Sequence, residues 1–474
     1  MSARLLSHPG PTAAGLALVL AAAVLVAPWM GHVDDTDAQL YQVVARHMVQ
    51  DGRWLDLRYL ADVHPHFREH LPFGLWPFAV AIRLGGERTL APLASLFTLG
   101  TLVLLAFVGR RLGGWTMGTL TVLVLATTES FIIYGGRERL DPLLLLLVVA
   151  SLAPVLAFPP TLRRWLLGAL LAALASLVKG PFGLLPFLAA GLAVAWEHRS
   201  ARWAATAVGL TLLATLPVAS FLLADRAFGS GSWWRGYVEV QLFESATGER
   251  FDGIEPPWFP LATVAGRFWP GLPLVALGVA RSFAWPKRLD AQTPPTPQVA
   301  QRLALCALVM LIGLALPERK VWHHALVAYP VLALLAGAGA TPFLRPVHST
   351  ERRRRLGLGA ILVVALACVA FDALRGGALL WRPCVPAAEF RADFDRLTPG
   401  DTVLVVSDPP HWRMVAILAA ERQLEPFMES TLHEDGDRGA RLALVEKHLM
   451  PSGPLPTPWQ EAGEARGWVL LRRE

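Results

Sequence analysis

The chain has 474 residues, 54% of them hydrophobic and 17% charged, with a formal net charge of +6 and a mean hydropathy of +0.44. An ordinary soluble domain is less apolar and more charged, and long apolar runs recur here from residue 12 to about residue 374, the pattern of a polytopic helical membrane protein. The small positive charge sits largely in short loops between these runs, which suits membrane orientation and anionic lipid headgroups and argues against nucleic acid as a partner. The three cysteines, Cys306, Cys368 and Cys384, contain no CxxC pair, so neither a disulfide framework nor a cysteine metal site is indicated.

Arg4 precedes the first apolar run, residues 12–30, which reads as an uncleaved span. Further spans are predicted at 90–109, 114–133, 141–158, 165–179, 181–197, 203–223, 258–280, 302–317, 324–344 and 356–374, about eleven in all. Phe73 to Leu84 is apolar but too short to cross, and is expected to be interfacial or re-entrant. The Lys/Arg bias of the short loops orients the chain. An inside N-terminus places Arg110-Arg111, Arg163-Arg164, Arg199, Arg202, Arg281, Lys287, Arg288, Arg345 and Arg352 to Arg355 on one side. The outside then holds 31–89, Gly135 to Asp141, the Lys179-Gly180-Pro181 turn, 224–257, Glu318 to His324 and the C-terminus. Charge close to hydrocarbon is costly, so its gathering on the outer side marks a candidate site.

Residues 1–381 are accordingly expected to form a transmembrane domain carrying an outer loop at 31–89. The proline-rich stretch in 281–301 reads as a flexible linker. From Arg382 the composition becomes that of a soluble domain, and 382–474 is expected to form a small extracytoplasmic α/β domain. Within it, Thr402 to Ser407 reads as a buried strand, Arg438 to Leu449 as an amphipathic helix and Trp468 to Leu471 as a last strand.

Thr36-Asp37-Ala38-Gln39 fits a capping box. Asp37 would then stand in a first helical turn, where the helix dipole favours a carboxylate; the functional alternative is a general base at the membrane surface. Leu40, Val43, Val44 and Met48 follow at helical spacing, which predicts a helix lying flat on the membrane. Trp233-Trp234 and Trp258 read as interfacial anchors. Glu69, His70, His323 and His324 are residue types that could hold a divalent metal ion, although their spacing forms no local metal motif.

Five stretches resemble the bacterial GT-C glycosyltransferases that use polyprenyl-phosphate sugars, the protein mannosyltransferase-like enzymes and the 4-amino-4-deoxy-L-arabinose lipid A transferases among them. Asp37-Ala38-Gln39-Leu40-Tyr41 is similar to D-E-x-x-Y after the first span. Phe67 to Trp76 is similar to F-x-E-[KH]-P-P-L-x-x-W. Arg139-Leu140-Asp141-Pro142-Leu143 is similar to L-D-x-x-L, Lys179-Gly180-Pro181-Phe182-Gly183 to K-G-P-x-G, and Glu318-Arg319-Lys320 with His323, His324 and Pro330 to S-x-x-K-x-x-H-Y-x-x-P. The matches run in family order. Ala38, His70 and Leu71 depart from the pattern.

The resemblance implies a GT-C fold and direct displacement of polyprenyl phosphate by a lipid, glycan or protein acceptor at the outer face of the inner membrane. It makes Asp37 the catalytic carboxylate and Asp141 a second acid. Lys320 leads the donor-phosphate candidates, followed by Arg137 and Arg139. Tyr41, Glu69, His70, Lys179, His323 and His324 complete the substrate-binding set. A transporter or lipid flippase is the alternative. It would carry ionisable residues deep in several spans, whereas these spans are nearly free of charge away from their ends.

Overall fold

The computed structural model describes residues 36–59, 66–249, 254–283, 296–344, 390–394, 396–399, 401–406, 418–419, 424–429, 440–451, 455–456, 459–465 and 468–473. The expected spans at 12–30 and 356–374, the domain boundary at 382, Cys368 and Cys384 lie outside the described residues. The described residues fall into two compact units. One contains residues 68–74 and 91–344, and the other contains 36–67, 75–90 and 390–473.

The first unit is helical. Its elements are α3 (Leu90–Ala126), α4 (Glu129–Gly135), α5 (Leu140–Leu156), α6 (Leu162–Lys179), α7 (Pro181–Glu197), α8 (Ala201–Phe228), α9 (Phe259–Arg267), α10 (Leu272–Phe283), α11 (Pro297–Ala315) and α12 (Tyr329–Ala340). α1 (Thr36–Asp51) and α2 (Trp76–Gly85) belong to the other unit. Among the described residues, four helical stretches are long and apolar enough to cross a membrane: Glu87–Ala126, Ala201–Phe228, Pro297–Ala315 and Trp322–Phe343. The chain is a multi-pass membrane protein.

α3 breaks at Gly114, where φ is 82° and ψ 178°, a conformation that only glycine adopts without strain. Gly109 packs against Gly118, which a straight helix would hold about 13 Å away. The chain therefore reverses, and the segments predicted at 90–109 and 114–133 form the arms of a hairpin. The single span expected at 258–280 is instead two helices, α9 and α10, separated by a tight turn at Trp269–Gly271. The Trp-Pro-Gly-Leu-Pro sequence there accounts for the break, because proline lacks the N–H that continues a helix.

The loop after α8 is also ordered differently from expectation. It contains a π-helical run, Trp234–Glu244. Trp233 is buried at 4% exposure, against Phe221 at 5.5 Å, and its N–H donates to Asp225 Oδ2 at 2.9 Å. It is therefore a packing residue and not a surface anchor, whereas Trp258 is exposed. At another edge of the bundle, Arg302 of α11 pairs with Glu197 of α7 at 2.7 Å and donates to the Leu156 carbonyl of α5 at 2.9 Å. This one guanidinium caps two helix C-termini, where cations and donors are favoured.

The second unit contains α1 (Thr36–Asp51), α2 (Trp76–Gly85) and a five-stranded sheet. α2 has ten residues, too few to cross a bilayer. Six consecutive residues of α1, Val43 to Met48, are buried. A helix turns fully in fewer than six residues, so α1 is enclosed rather than laid flat with one wet face. Arg46 is buried with it, pairs with Glu87 and donates to the Ala419 carbonyl.

The strands are β1 (Thr402–Val406), β2 (Glu425–Glu429), β3 (Leu442–Glu446), β4 (Trp459–Ala465) and β5 (Trp468–Arg473), in the order β2-β1-β3-β5-β4. β1 is parallel to both neighbours and β3–β5–β4 run antiparallel. The helix expected at Arg438 to Leu449 is corrected. Leu442 to Val445 is buried on both faces as a central strand, and so short an apolar run carries no period that separates strand from helix.

Candidate functional site

The candidate site in the helical unit begins with three helix ends. Asp141 lies in the first turn of α5, where unpaired N–H groups and the helix dipole favour a carboxylate. Lys179 is the last residue of α6, the end that favours a cation. Gly180 follows with φ 57°, and a Cβ there would collide with the buried Tyr237 hydroxyl. Pro181 then starts α7 with φ already suited to a helix. The Lys-Gly-Pro sequence thus reverses the chain while leaving the lysine at the turn.

Lys179 Nζ donates to Asp141 Oδ1 at 2.8 Å, and Arg139 Nε to Asp141 Oδ2 at 3.2 Å. All three side chains are between 3% and 7% exposed. Two cations on one carboxylate leave this buried group positive.

Aromatic rings adjoin it. Arg139 lies 4.3 Å and Arg137 5.9 Å from the ring centre of Tyr134, at the end of α4. Tyr134 stacks on Trp322 at 5.0 Å with 24° between the planes, and meets His323 edge-on at 6.2 Å. His323 and His324 lie 4.9 Å apart on the turn Trp322–Ala328, and His324 lies 4.2 Å from Phe182 of α7. Arg267, the last residue of α9, covers Trp322 at 3.6 Å.

The segment 68–74 joins the same group. Gly74 packs against Val178, one residue before Lys179. Arg68 lies over Trp233 at 4.3 Å and donates to Ser232 Oγ at 3.0 Å, which ties this segment to the loop after α8. Burial, with the positive charges of Lys179 and Arg139, pushes His70 down to about 3, against the opposing pull of Asp141. His70 is therefore neutral at neutral pH. Half-buried Glu69 precedes it.

Lys320 is buried and donates to the carbonyls of Glu255 at 2.8 Å and Glu318 at 3.3 Å. With the Glu255 N–H to Glu318 carbonyl bond at 3.1 Å, it pins the outer loop to the segment leading into Trp322. Asp37 and Tyr41 lie one turn apart on α1 of the other unit, Asp37 half-buried and Tyr41 buried.

The structure thus assembles Asp141, Arg139, Lys179, His70, His323 and His324, with Arg137 at the edge of Tyr134. Sequence reasoning missed Tyr134, Trp322, Phe182 and Arg267. One signal was available. The chain has five tyrosines, and all five are buried, whereas tyrosines of membrane proteins gather at the bilayer surface. Among the described residues, no group of three or more His, Cys, Asp or Glu converges as a metal site.

No family model matches the chain, and no curated protein matches its sequence. Solved structures do match its fold. ArnT from Cupriavidus metallidurans, solved bound to undecaprenyl phosphate, superposes with a TM-score of 0.69 at 18% identity, covering 96% of this chain and 97% of ArnT. The archaeal oligosaccharyltransferase AglB from Archaeoglobus fulgidus, in complex with an inhibitory peptide and a dolichol-phosphate, gives 0.54 at 12% identity over 92% of this chain and 69% of AglB. The arabinofuranosyltransferase AftD from Mycobacteria gives 0.51 at 16% identity over 96% and 40%. The fold is that of the GT-C glycosyltransferases.

Proposed function

We propose that this chain, built on the GT-C fold, transfers a sugar from a polyprenyl-phosphate donor to a lipid, glycan or protein acceptor, at the outer face of a bacterial cytoplasmic membrane. The observation that carries the reading is the buried, net-positive group of Asp141, Arg139 and Lys179 beside Tyr134 and Trp322. Ionisable residues at the ends of apolar helices are costly to keep and mark function. Cations suit a lipid phosphate, and aromatic faces suit the C–H groups of a sugar.

In the proposed reaction the acceptor oxygen forms a bond to the anomeric carbon as the bond from that carbon to the phosphate oxygen breaks. The electron pair leaves with polyprenyl phosphate, and the acceptor proton passes to the Asp37 carboxylate. Displacement in one step inverts the anomeric centre. Lys179, Arg139, Arg137 and Lys320 stabilise the charge that develops on the leaving phosphate. Asp141 holds Lys179 and Arg139 in place, and His70, His323 and His324 serve as hydrogen-bonding partners of the sugar.

Asp37→Asn keeps the size of the side chain and removes the base. Purified variant supplied with a polyprenyl-phosphate sugar is expected to lose about 10²–10⁴-fold in transfer while eluting as the folded protein. Undiminished transfer removes Asp37 from the mechanism. Lys320→Ala is expected to raise the donor KM more than it lowers kcat, and an unchanged donor dependence removes Lys320 from phosphate binding.

A further inference from the structure

The ends of α5 and α6 remote from Asp141 and Lys179 carry a second concentration of charge. α5 has 17 residues and α6 has 18, so about 25 Å separates their two ends, near the thickness of a hydrocarbon core. At this far boundary Arg110 and Arg111 close the first arm of α3, just before the break at Gly114, and Arg163 and Arg164 open α6. Phe158 lies in the connection between α5 and α6.

Two of these arginines share one ring. The Arg111 guanidinium lies 4.8 Å from the Phe158 ring centre and that of Arg164 lies 5.0 Å from it. Arg164 also donates to the Pro159 carbonyl at 2.8 Å, and Arg110 lies over Trp115 at 4.4 Å. Among the described residues, no carboxylate pairs with Arg110, Arg111, Arg163 or Arg164. Arg110, Arg111 and Arg163 are exposed, and Arg164 is half-buried. Gathering like charges on one ring costs energy, and the first turn of α6 is the end of a helix that disfavours cations. Contact with an aromatic face offsets only about 0.5–1 kcal/mol per exposed cation. The arrangement is complementary to an anion.

The surface beside the clasp settles the kind of anion. Along α3 toward the middle of the helix, Val103 and Phe107 are exposed, and along α6 so are Leu166, Leu167 and Leu170. The Phe107 ring lies 6.2 Å from Phe158, so apolar surface continues directly into the arginine pair. A free phosphate would use only the cations. A phospholipid uses both parts of the surface.

We propose that the Arg111–Phe158–Arg164 clasp seats the phosphodiester headgroup of an anionic phospholipid, whose acyl chains follow Val103, Phe107, Leu166 and Leu170. The seat lies at the opposite boundary from the proposed transfer site and does not rest on that reading. It supplies a fixed lipid at the hairpin turn around Gly114.

The test is native mass spectrometry of the full-length purified protein titrated with phosphatidylglycerol or with phosphatidylcholine of the same chains. Wild type is expected to retain phosphatidylglycerol in preference. Arg111→Gln with Arg164→Gln is expected to weaken that retention by roughly tenfold or more, at about 1 kcal/mol per surface cation. Phe158→Leu, which keeps both charges, is expected to weaken it less. Equal retention of the two lipids overturns the proposal, as does undiminished retention by the double variant. Displacement of the lipid by inorganic phosphate at comparable concentration also overturns it, because the acyl chains would then contribute nothing. Should the double variant not fold, the thermal midpoint of the wild type decides. A rise in phosphatidylglycerol bilayers over phosphatidylcholine bilayers supports the seat, and its absence overturns it.

Discussion

The two ends of α5 and α6 use charge in opposite ways. At one end Asp141, Arg139 and Lys179 are almost fully buried and satisfy one another. At the other Arg111 and Arg163 are exposed, and no carboxylate among the described residues pairs with them. A buried charge without its partner costs several kcal/mol, whereas an exposed arginine at a membrane boundary costs little and can be satisfied by water and lipid. Clustered charge alone therefore does not identify a site in this protein. What separates the two ends is burial with reciprocal pairing on one side and solvent access beside an apolar stripe on the other.

The comparison breaks most visibly at Lys179. Lys179→Met leaves Asp141 buried with a single cation and is expected to lower unfolding stability by about 3–5 kcal/mol, read from thermal or denaturant unfolding in detergent. Lys179→Met with Asp141→Leu removes both charges and is expected to recover much of that loss. If the single variant is as stable as the wild type, the pair is not the buried clamp its geometry describes.

A smaller effect is expected at His70. Its folded pKa is depressed to about 3 from an ordinary 6.5, so the unfolded chain binds the extra proton first on acidification. The stability that neutral His70 preserves is complete above about 6.5 and declines as pH falls toward 3. His70→Gln is expected to flatten the fall in thermal midpoint between neutral and mildly acid pH. Parallel curves for the two proteins would place His70 in an ordinary aqueous setting. The smallest effect is expected at the far end, where Arg163→Gln changes stability by no more than about 0.5 kcal/mol. A loss as large as that of Lys179→Met would erase the contrast between the ends.

Much of the architecture was legible in the chain. Val403 to Val406 is a continuous β-branched and apolar run and forms β1. Lys179-Gly180-Pro181 carries its own reversal, because glycine alone accepts the turn and proline alone pre-sets the following helix. Asp141 and Lys179 were both named, but nothing local required that they touch. Tyr134 and Trp322 illustrate the limit more sharply. They stack across the bundle from distant parts of the chain, and neither lies in a pattern that distinguishes a site ring from a membrane anchor. Trp233 was misplaced for the same reason, since only the Arg68 and Phe221 contacts show it to be internal.

The sequence by itself determined the class of molecule and the helix ends around Asp141 and Lys179 with the residue types at them, because hydrophobic run length, Gly and Pro chemistry and helix dipoles act over a few residues. It misread Arg438 to Leu449 as a helix, and Leu442 to Val445 is a strand because β1 and β5 flank it on both edges. The tertiary structure alone decided which charges became buried partners and which remained at the surface. That outcome depends on whether the packing of α5, α6 and α7 brings a carboxylate within hydrogen-bond reach of a cation while excluding water, a property of the assembled helices and not of any one of them.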